Sequence, residues 1–409
     1  MPNPPRDTLP PAFKRIGWSN LFAQFSEQMA LAAAPLAAVL LLAAGPAETG
    51  WLQMAQTLPF LLLSIPAGLV ADRASRRRLM VSSEMLRALS LVATLLLMLG
   101  GLLSLPLLAV MGFVGAIGTV CYNVAAPALV PAIVPRHQLA DANRWLELAR
   151  SLAYSGGPAI GGAIVAWTGA SLAYVAATSL SLLSVVRLAG LGDQQQPTAP
   201  RRNLLQDLAE GARFLGGHPL LRPILVTAIV FNTAWFVLQA VYVAYAIQTL
   251  GLTATGVGIT LGIYGAGMMI GAFAAPAIAR RIPFGLMIAL GPLGGLTAAA
   301  VMLSTIWIPS GALAGLSFFL FGAGPVLWSI ATLTLRQAVT PNAMLGRVSA
   351  FITTATFGAR PIGAALGAIV ATRFGVEACL AVAAVGFLIQ FLVIIASGVP
   401  QLRALPEAA

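Results

Sequence analysis

Long apolar segments recur from one end of the chain to the other, and none alternates with period two. They fall near residues 17–44, 51–71, 79–101, 105–131, 143–167, 170–190, 222–249, 255–279, 284–306, 309–335, 347–372 and 375–398. At 1.5 Å of rise per residue each is long enough to cross a hydrocarbon core of about 30 Å. Backbone polar groups in lipid must be paired within the protein, so spanning segments are helices or closed-barrel strands. Runs of this length without alternation predict helices. The pattern therefore predicts an all-α integral membrane protein of twelve transmembrane helices. Residues 1–14 are polar and proline-rich, and the apolar run after them has no cleavage site, so it reads as an uncleaved first span.

The longest polar stretch lies mid-chain. Residues 192–203 (GDQQQPTAPRRN) contain no large apolar side chain and read as a linker. In the segment that follows, Leu204, Leu205, Leu208, Ala212 and Leu215 share one helical face. It reads as an amphipathic helix lying on the inner membrane surface. The expected division is an N-terminal six-helix half over 1–190, a cytoplasmic linker over 191–221 and a C-terminal six-helix half over 222–409.

The halves repeat. GAIVA at 162–166 returns at 367–371, an offset of 205. Gly68, Arg77 and Arg78 return as Gly271, Arg280 and Arg281 (offset 203), and Pro135 and Leu139 as Pro341 and Leu345 (offset 206). Three matches at nearly one offset point to a duplicated six-helix unit. Many secondary transporters are built so, with the substrate site at the midplane between repeats.

Charge sharpens this picture. Of 409 residues 59% are hydrophobic and 9% charged, against about 25% charged in soluble domains, which excludes a soluble multidomain enzyme. The net charge of +11 is not a nucleic-acid signal, because the arginines gather in alternate loops. With a cytoplasmic N-terminus, the inner loops hold Arg15, Arg73, Arg76–78, Arg136, Arg201, Arg202, Arg280, Arg281, Arg336 and Arg347, and the outer loops only Arg373. This asymmetry predicts that both termini are cytoplasmic. Cys121 and Cys379 stand apart in apolar segments and read as small core residues. No phosphate-binding lysine loop, metal-ligand cluster or nucleophile–base pair is present, so no cofactor, metal or enzymatic activity is expected.

After the second span the chain reads Gly68-Leu-Val-Ala-Asp72-Arg73-Ala-Ser-Arg76-Arg77-Arg78. This resembles motif A of the major facilitator superfamily, with Ser75 in place of the usual second glycine. The resemblance implies a cytoplasmic latch between the halves. In the fifth span Gly156-Gly157-Pro158-Ala-Ile-Gly161-Gly162 resembles motif C of the antiporter branch. The same Gly157, Pro158, Gly161 and Gly162 also read as an ordinary small-residue packing seam. Further strings cover nearly the whole chain: Pro127 to Pro135, Ala149-Arg150, Glu210-Gly211-Ala-Arg213-Phe and Gly346-Arg347-Val-Ser-Ala. They resemble an exporter subgroup with enterobactin-exporter-like and macrolide-efflux-like members. The motif-B arginine is missing, since residues 105–131 carry no charge. The resemblance implies the major facilitator fold in a bacterial inner membrane, and a monomer that works among lipids on a small-molecule substrate and protons.

Charges deep in a span are costly and usually functional. Glu27 lies mid-span in the first helix, on a face with Asn20, Gln24 and Gln28. Two readings stand: a proton or substrate carrier, or a structural carboxylate held by polar neighbours. Arg360, beside Pro361 in the eleventh span, reads as an anion site, a counter-ion to Glu27, or a pin between helices. Glu84, Arg87, Arg144, Glu147 and Arg150 read as an ion-pair network closing the cytoplasmic side. Asn232, Trp235, Gln239 and Tyr242 share one face of the seventh span, and the resemblance implies that this face looks at the first span across the substrate path. Tyr122, Asn123 and Trp328 are further binding candidates. The sequence thus predicts proton-coupled export of a small amphipathic molecule, a siderophore or a drug. The alternative in the same fold is a lipid or lysolipid flippase or a proton-independent facilitator.

Overall fold

The computed structural model describes residues 9–73, 75–135, 138–191 and 204–406. The linker over 192–203, His137 and the side chains of Gly68, Asp72, Arg73 and Arg144 lie outside the described residues.

All regular structure among the described residues is helical. The helices are α1 (Pro11–Leu42), α2 (Pro46–Arg73), α3 (Arg76–Leu99), α4 (Leu105–Ile133), α5 (Leu139–Thr168) and α6 (Ala170–Ala189). A short α7 (Leu204–Gly217) precedes α8 (Leu221–Gln248), α9 (Ala254–Ala279), α10 (Phe284–Ser304), α11 (Gly311–Val339) and α12 (Asn342–Ile395). Gly375, at φ 85° and ψ 177°, breaks α12 into two arms, 342–374 and 376–395. Six membrane-length helices thus lie on each side of α7, as the twelve apolar runs predict. Of the eleven membrane-length helices, counting α12 once, nine are, among the described residues, apolar enough to cross a membrane on length and composition alone. The other two, α2 and α5, pack among them, α2 on α4 and α12, α5 on α1 and α9.

The turns show why the chain can fold back so tightly. Ala43, Gly101, Gly169, Gly251 and Gly375 all have positive φ, and all lie in hairpin turns at one end of the bundle. Four of the five are glycine, which adopts this region without a Cβ clash. This end is called the far end below; the other carries α7.

Small polar and glycine residues set the helix seams. Ser19 meets Ser184 at 2.8 Å and Ser26 donates to the Ala177 carbonyl at 2.7 Å, joining α1 to α6. In α5, neighbouring glycines serve two different partners. A Cβ at Gly157 would meet Gln28 at 2.6 Å and one at Gly161 would meet Met29 at 3.4 Å, both on α1. A Cβ at Gly162 would meet the Ala254 carbonyl at 2.7 Å, and one at Gly258 the Pro158 carbonyl at 2.7 Å, on the α5–α9 seam. The glycine-rich string is therefore a double packing seam, one side within its half and one side between halves.

At the C-terminal end of α7, Leu215 is fully buried with Leu221 of α8 and Val348 of α12, so this part of the apolar face packs against protein. Gly211 permits this approach, since a Cβ there would meet the Arg347 carbonyl at 2.6 Å.

Candidate functional site

A cavity of about 370 Å³ lies between the two sets of six helices. Its charged wall residues are Glu27 of α1, Arg87 of α3 and Arg360 of α12. The side formed by α1–α4 is polar, with Gln28, Gln53, Gln56, Thr57, Ser90 and Thr119. The side formed by α8, α9 and α11 is aromatic, with Phe231, Trp235, Phe236, Tyr264 and Phe318, and Asn232 and Gln239 among them.

Arg87 organises the acidic side. Its guanidinium donates to Glu84 at 2.5 Å and to the Ala23 carbonyl at 2.8 Å, and lies 3.6 Å from the Glu27 carboxylate. Ser181 of α6 donates to Glu84 at 2.7 Å. One arginine thus ties α1 and α3 together, with Glu84 linking on to α6. The side chains of Arg87 and Glu84 are 6% and 1% exposed, and Glu27 is 15% exposed, toward the cavity. Glu27 is therefore the carboxylate of the network that a solute or proton can reach.

Arg360 is held differently. Its guanidinium carbon lies 4.0 Å from the Phe357 ring centroid, 5.5 Å from Phe236 and 5.6 Å from Phe60. These are cation–π distances. On the aromatic side, Trp235 stands at the centre of a cluster, 5.2 Å from Tyr264, 5.8 Å from Phe318 and 4.8 Å from Phe321.

Among the residues singled out in the sequence, Glu27, Gln28, Asn232, Trp235, Gln239 and Arg360 line this cavity together, with Pro158 of the glycine string. Asn20 and Gln24 lie nearer the α7 end of α1 and are not part of its wall. Tyr242 is fully buried, bonded to Thr260 at 2.5 Å and packed on Phe318. Tyr122 is buried in a separate cluster with Ile16 and Met80. Asn123 is exposed, and Trp328 packs over Gly291 of α10. None of these four lines the cavity.

The expected ion-pair network divides. Arg87 lines the cavity with Glu84 buried behind it, whereas Glu147 and Arg150 form an exposed pair at 2.7 Å within α5. Arg77 donates to the Ala189 carbonyl at the end of α6 at 2.5 Å, and Arg15 caps the neighbouring Gly190 carbonyl. Arg347 pairs with Asp207 at 2.7 Å and Glu210 at 2.6 Å, joining the start of α12 to α7. This pairing unites two of the strings noted in the sequence, around Glu210 and around Arg347. His218, between α7 and α8, accepts from the Leu220 and Leu221 amides at 3.2 and 3.3 Å. Burial lowers its pKa from 6.5, which keeps it neutral as that acceptor.

Sequence reasoning passed over Gln53, Gln56, Thr57 and Tyr154. The signal was there: Gln53, Gln56 and Thr57 form a polar stripe at helical spacing in an otherwise apolar α2. No group of three metal-ligating side chains occurs among the described residues.

A family described as "transmembrane secretion effector" matches residues 10–409. The enterobactin exporter EntS of Escherichia coli O1:K1 / APEC is 29% identical over 304 residues, 73% of this chain and 71% of that protein. A bacterial homologue of the iron transporter ferroportin superposes in its inward-facing state with a TM-score of 0.75 at 15% identity, over 94% of this chain and 98% of that one. In its outward-facing state the TM-score is 0.63 at 16% identity, over the same shares.

Proposed function

Because the chain belongs to the transmembrane secretion effector family, in the major facilitator superfamily, we propose that it exports a small amphipathic molecule from the cytoplasm by proton antiport. It is a multi-pass membrane transporter and not an enzyme. In this reading it sits in a bacterial inner membrane with the α7 end in the cytoplasm. The halves over 1–190 and 222–409 rock about the cavity as a monomer. The motif-A residues Gly68, Asp72 and Arg73, with Arg77, act as the latch between them.

One observation carries the reading. Glu27 is the carboxylate that faces the cavity, and it is the acceptor Arg87 holds most loosely, at 3.6 Å against 2.5 Å to Glu84. Protonating Glu27 removes the attraction across that gap, while Arg87 keeps Glu84 and the Ala23 carbonyl. Losing the proton restores it and pulls α1 toward α3. The charge state of one side chain thereby biases the packing of the cavity wall, and a proton taken from one side and released to the other drives export. The relatives named as enterobactin exporters support the direction.

The test uses the full-length protein in proteoliposomes with an imposed pH gradient. Wild type should move substrate against its gradient. Glu27→Gln, a neutral amide with the shape of the protonated acid, should retain counterflow exchange but lose the response to pH. Gradient-driven export by Glu27→Gln at the wild-type rate would remove Glu27 from coupling. Wild-type transport indifferent to pH would support the facilitator instead.

A further inference from the structure

We infer that the cavity selects an anionic amphiphile, and that Arg360 takes its acid group. The inference rests on the export reading for the route of the molecule and is independent of proton coupling.

The unused donors of the cavity's second cation lead to it. Of the three charged wall residues, Arg87 and Glu27 face each other with Glu84 behind them, and Arg360 balances the second carboxylate only at longer range. Arg360 has no carboxylate within ion-pair distance among the described residues, and its Nε has no hydrogen-bond partner. Its neighbours are the rings of Phe60, Phe236 and Phe357. Rings stacked on a guanidinium serve its π faces and leave the N–H donors on its edge unused. A planar oxyanion, above all a carboxylate, fits that edge with two parallel hydrogen bonds. The cost of a cation at this depth is then repaid when the ligand is bound.

The rest of the wall describes the remainder of the ligand. Phe231, Trp235, Tyr264 and Phe318 offer stacking surface for an aromatic or alkyl body. Opposite them Gln56 is 7% exposed, and its Oε1 is buried without a partner. Gln56 is seated by design of α4, since a Cβ at Gly112 would lie 2.7 Å from its Cγ. An unpaired buried carbonyl oxygen requires a donor. The ligand thus has an oxyanion for Arg360, an apolar body for the Trp235 wall and an N–H or O–H for Gln56.

Three probes with one fluorophore separate these features: dansylglycine (acid), dansylglycinamide (neutral) and N-dansylethylenediamine (cation). Each is titrated against the full-length protein in nanodiscs at neutral pH, with empty nanodiscs as the blank. Wild type should bind the acid about tenfold more tightly than the amide, and the amine most weakly. Arg360→Gln should erase the acid's advantage over the amide. Arg360→Lys, which keeps the charge but loses the fork, should reduce the advantage by about threefold, and it carries the test if Arg360→Gln does not fold. Gln56→Leu should weaken all three probes without changing their order. An amide or amine that binds wild type as tightly as the acid overturns the inference. So does an acid preference that survives Arg360→Gln, or an acid that fails to bind above the blank.

The same probes in proteoliposomes keep the two readings apart. Acid transport that ignores a pH gradient breaks proton coupling and leaves Arg360 its role. Gradient-driven transport of the amine in preference to the acid keeps coupled export and overturns the choice of an anion.

Discussion

Arg87 serves three acceptors, the Glu84 carboxylate, the Ala23 carbonyl and the Glu27 carboxylate, from the middle of a membrane helix. The fourth span carries no charge over 105–131, and the arginine that reaches α1 stands on α3. Removing one partner of a buried pair leaves the other uncompensated, at a cost of about 3–5 kcal/mol. Arg87→Gln should therefore lower thermal stability by an amount of that order. Adding Glu84→Gln removes the stranded carboxylate and should restore most of the stability. If Arg87 also holds Glu27 for coupling, the stable double variant still fails to respond to a pH gradient. A double variant with wild-type melting and wild-type gradient-driven export would reduce Arg87 to a structural tie. Glu27 was legible in the sequence because a carboxylate deep in an apolar run has few explanations. Arg87 was legible as a charge but not as its partner. It lies eleven residues into α3, about 16 Å from its start. Only the packing of α3 on α1 brings it to the cavity, and a helix's rotation about its axis is set by tertiary contacts.

At the scale of elements, the helices themselves were plain from length and hydropathy, since lipid admits no other open structure for such runs. The seams were harder to place. The repeated GAIVA string equates Gly162 with Gly367, yet the packing equates Gly367 with Gly161. Gly157 and Gly161 lie on α1, as Gly363 and Gly367 lie on α8. The string match is thus one residue out of register with the structural repeat, because Ala/Gly-rich helices match themselves easily while their seams depend on which face meets a partner. The α7 helix shows the same limit. Its amphipathic face was evident, but a membrane surface and a protein surface read alike in a helical wheel. Gly258 gives the seam a direct test. A side chain there meets backbone, the Pro158 carbonyl at 2.7 Å and Gly162 Cα at 2.9 Å, and backbone does not yield as a flexible side chain does. Gly258→Val should destabilise the protein by about 1–3 kcal/mol through overpacking. Gly216→Ala, which has open space around it, should be nearly neutral. Equal melting of the two variants would show that α5 and α9 are not held by this seam.

For the whole molecule, the question is which end must open. Two seams join the halves at the far end. One is α5 on α9; the other is α2 on α12, where a Cβ at Gly50 would meet Ala368 Cβ at 2.8 Å. Neither seam carries an ion pair among the described side chains; closure there rests on close backbone approach, helped by the Gln248 amide donating to the Ala44 carbonyl at 3.3 Å. At the opposite end Arg347 binds Asp207 and Glu210, so α7 is fastened to α12 and travels with the C-terminal half. If export proceeds by rocking, the Gly50–Ala368 contact must part in every cycle. A cysteine pair at these positions needs Cβ atoms about 3.5–4.5 Å apart, and Ala368 Cα at 2.9 Å also crowds a Cβ at Gly50, so the disulfide forms as the seam widens by about 1 Å. Cys121 and Cys379 are first replaced by serine and alanine to leave the introduced pair alone. Oxidation should then stop export in proteoliposomes while leaving probe binding from the α7 end intact, and a reductant should restore transport in the same vesicles. Export that continues with the pair fully cross-linked would mean that the far end does not open between α2 and α12, and the rocking of the two halves would have to be abandoned.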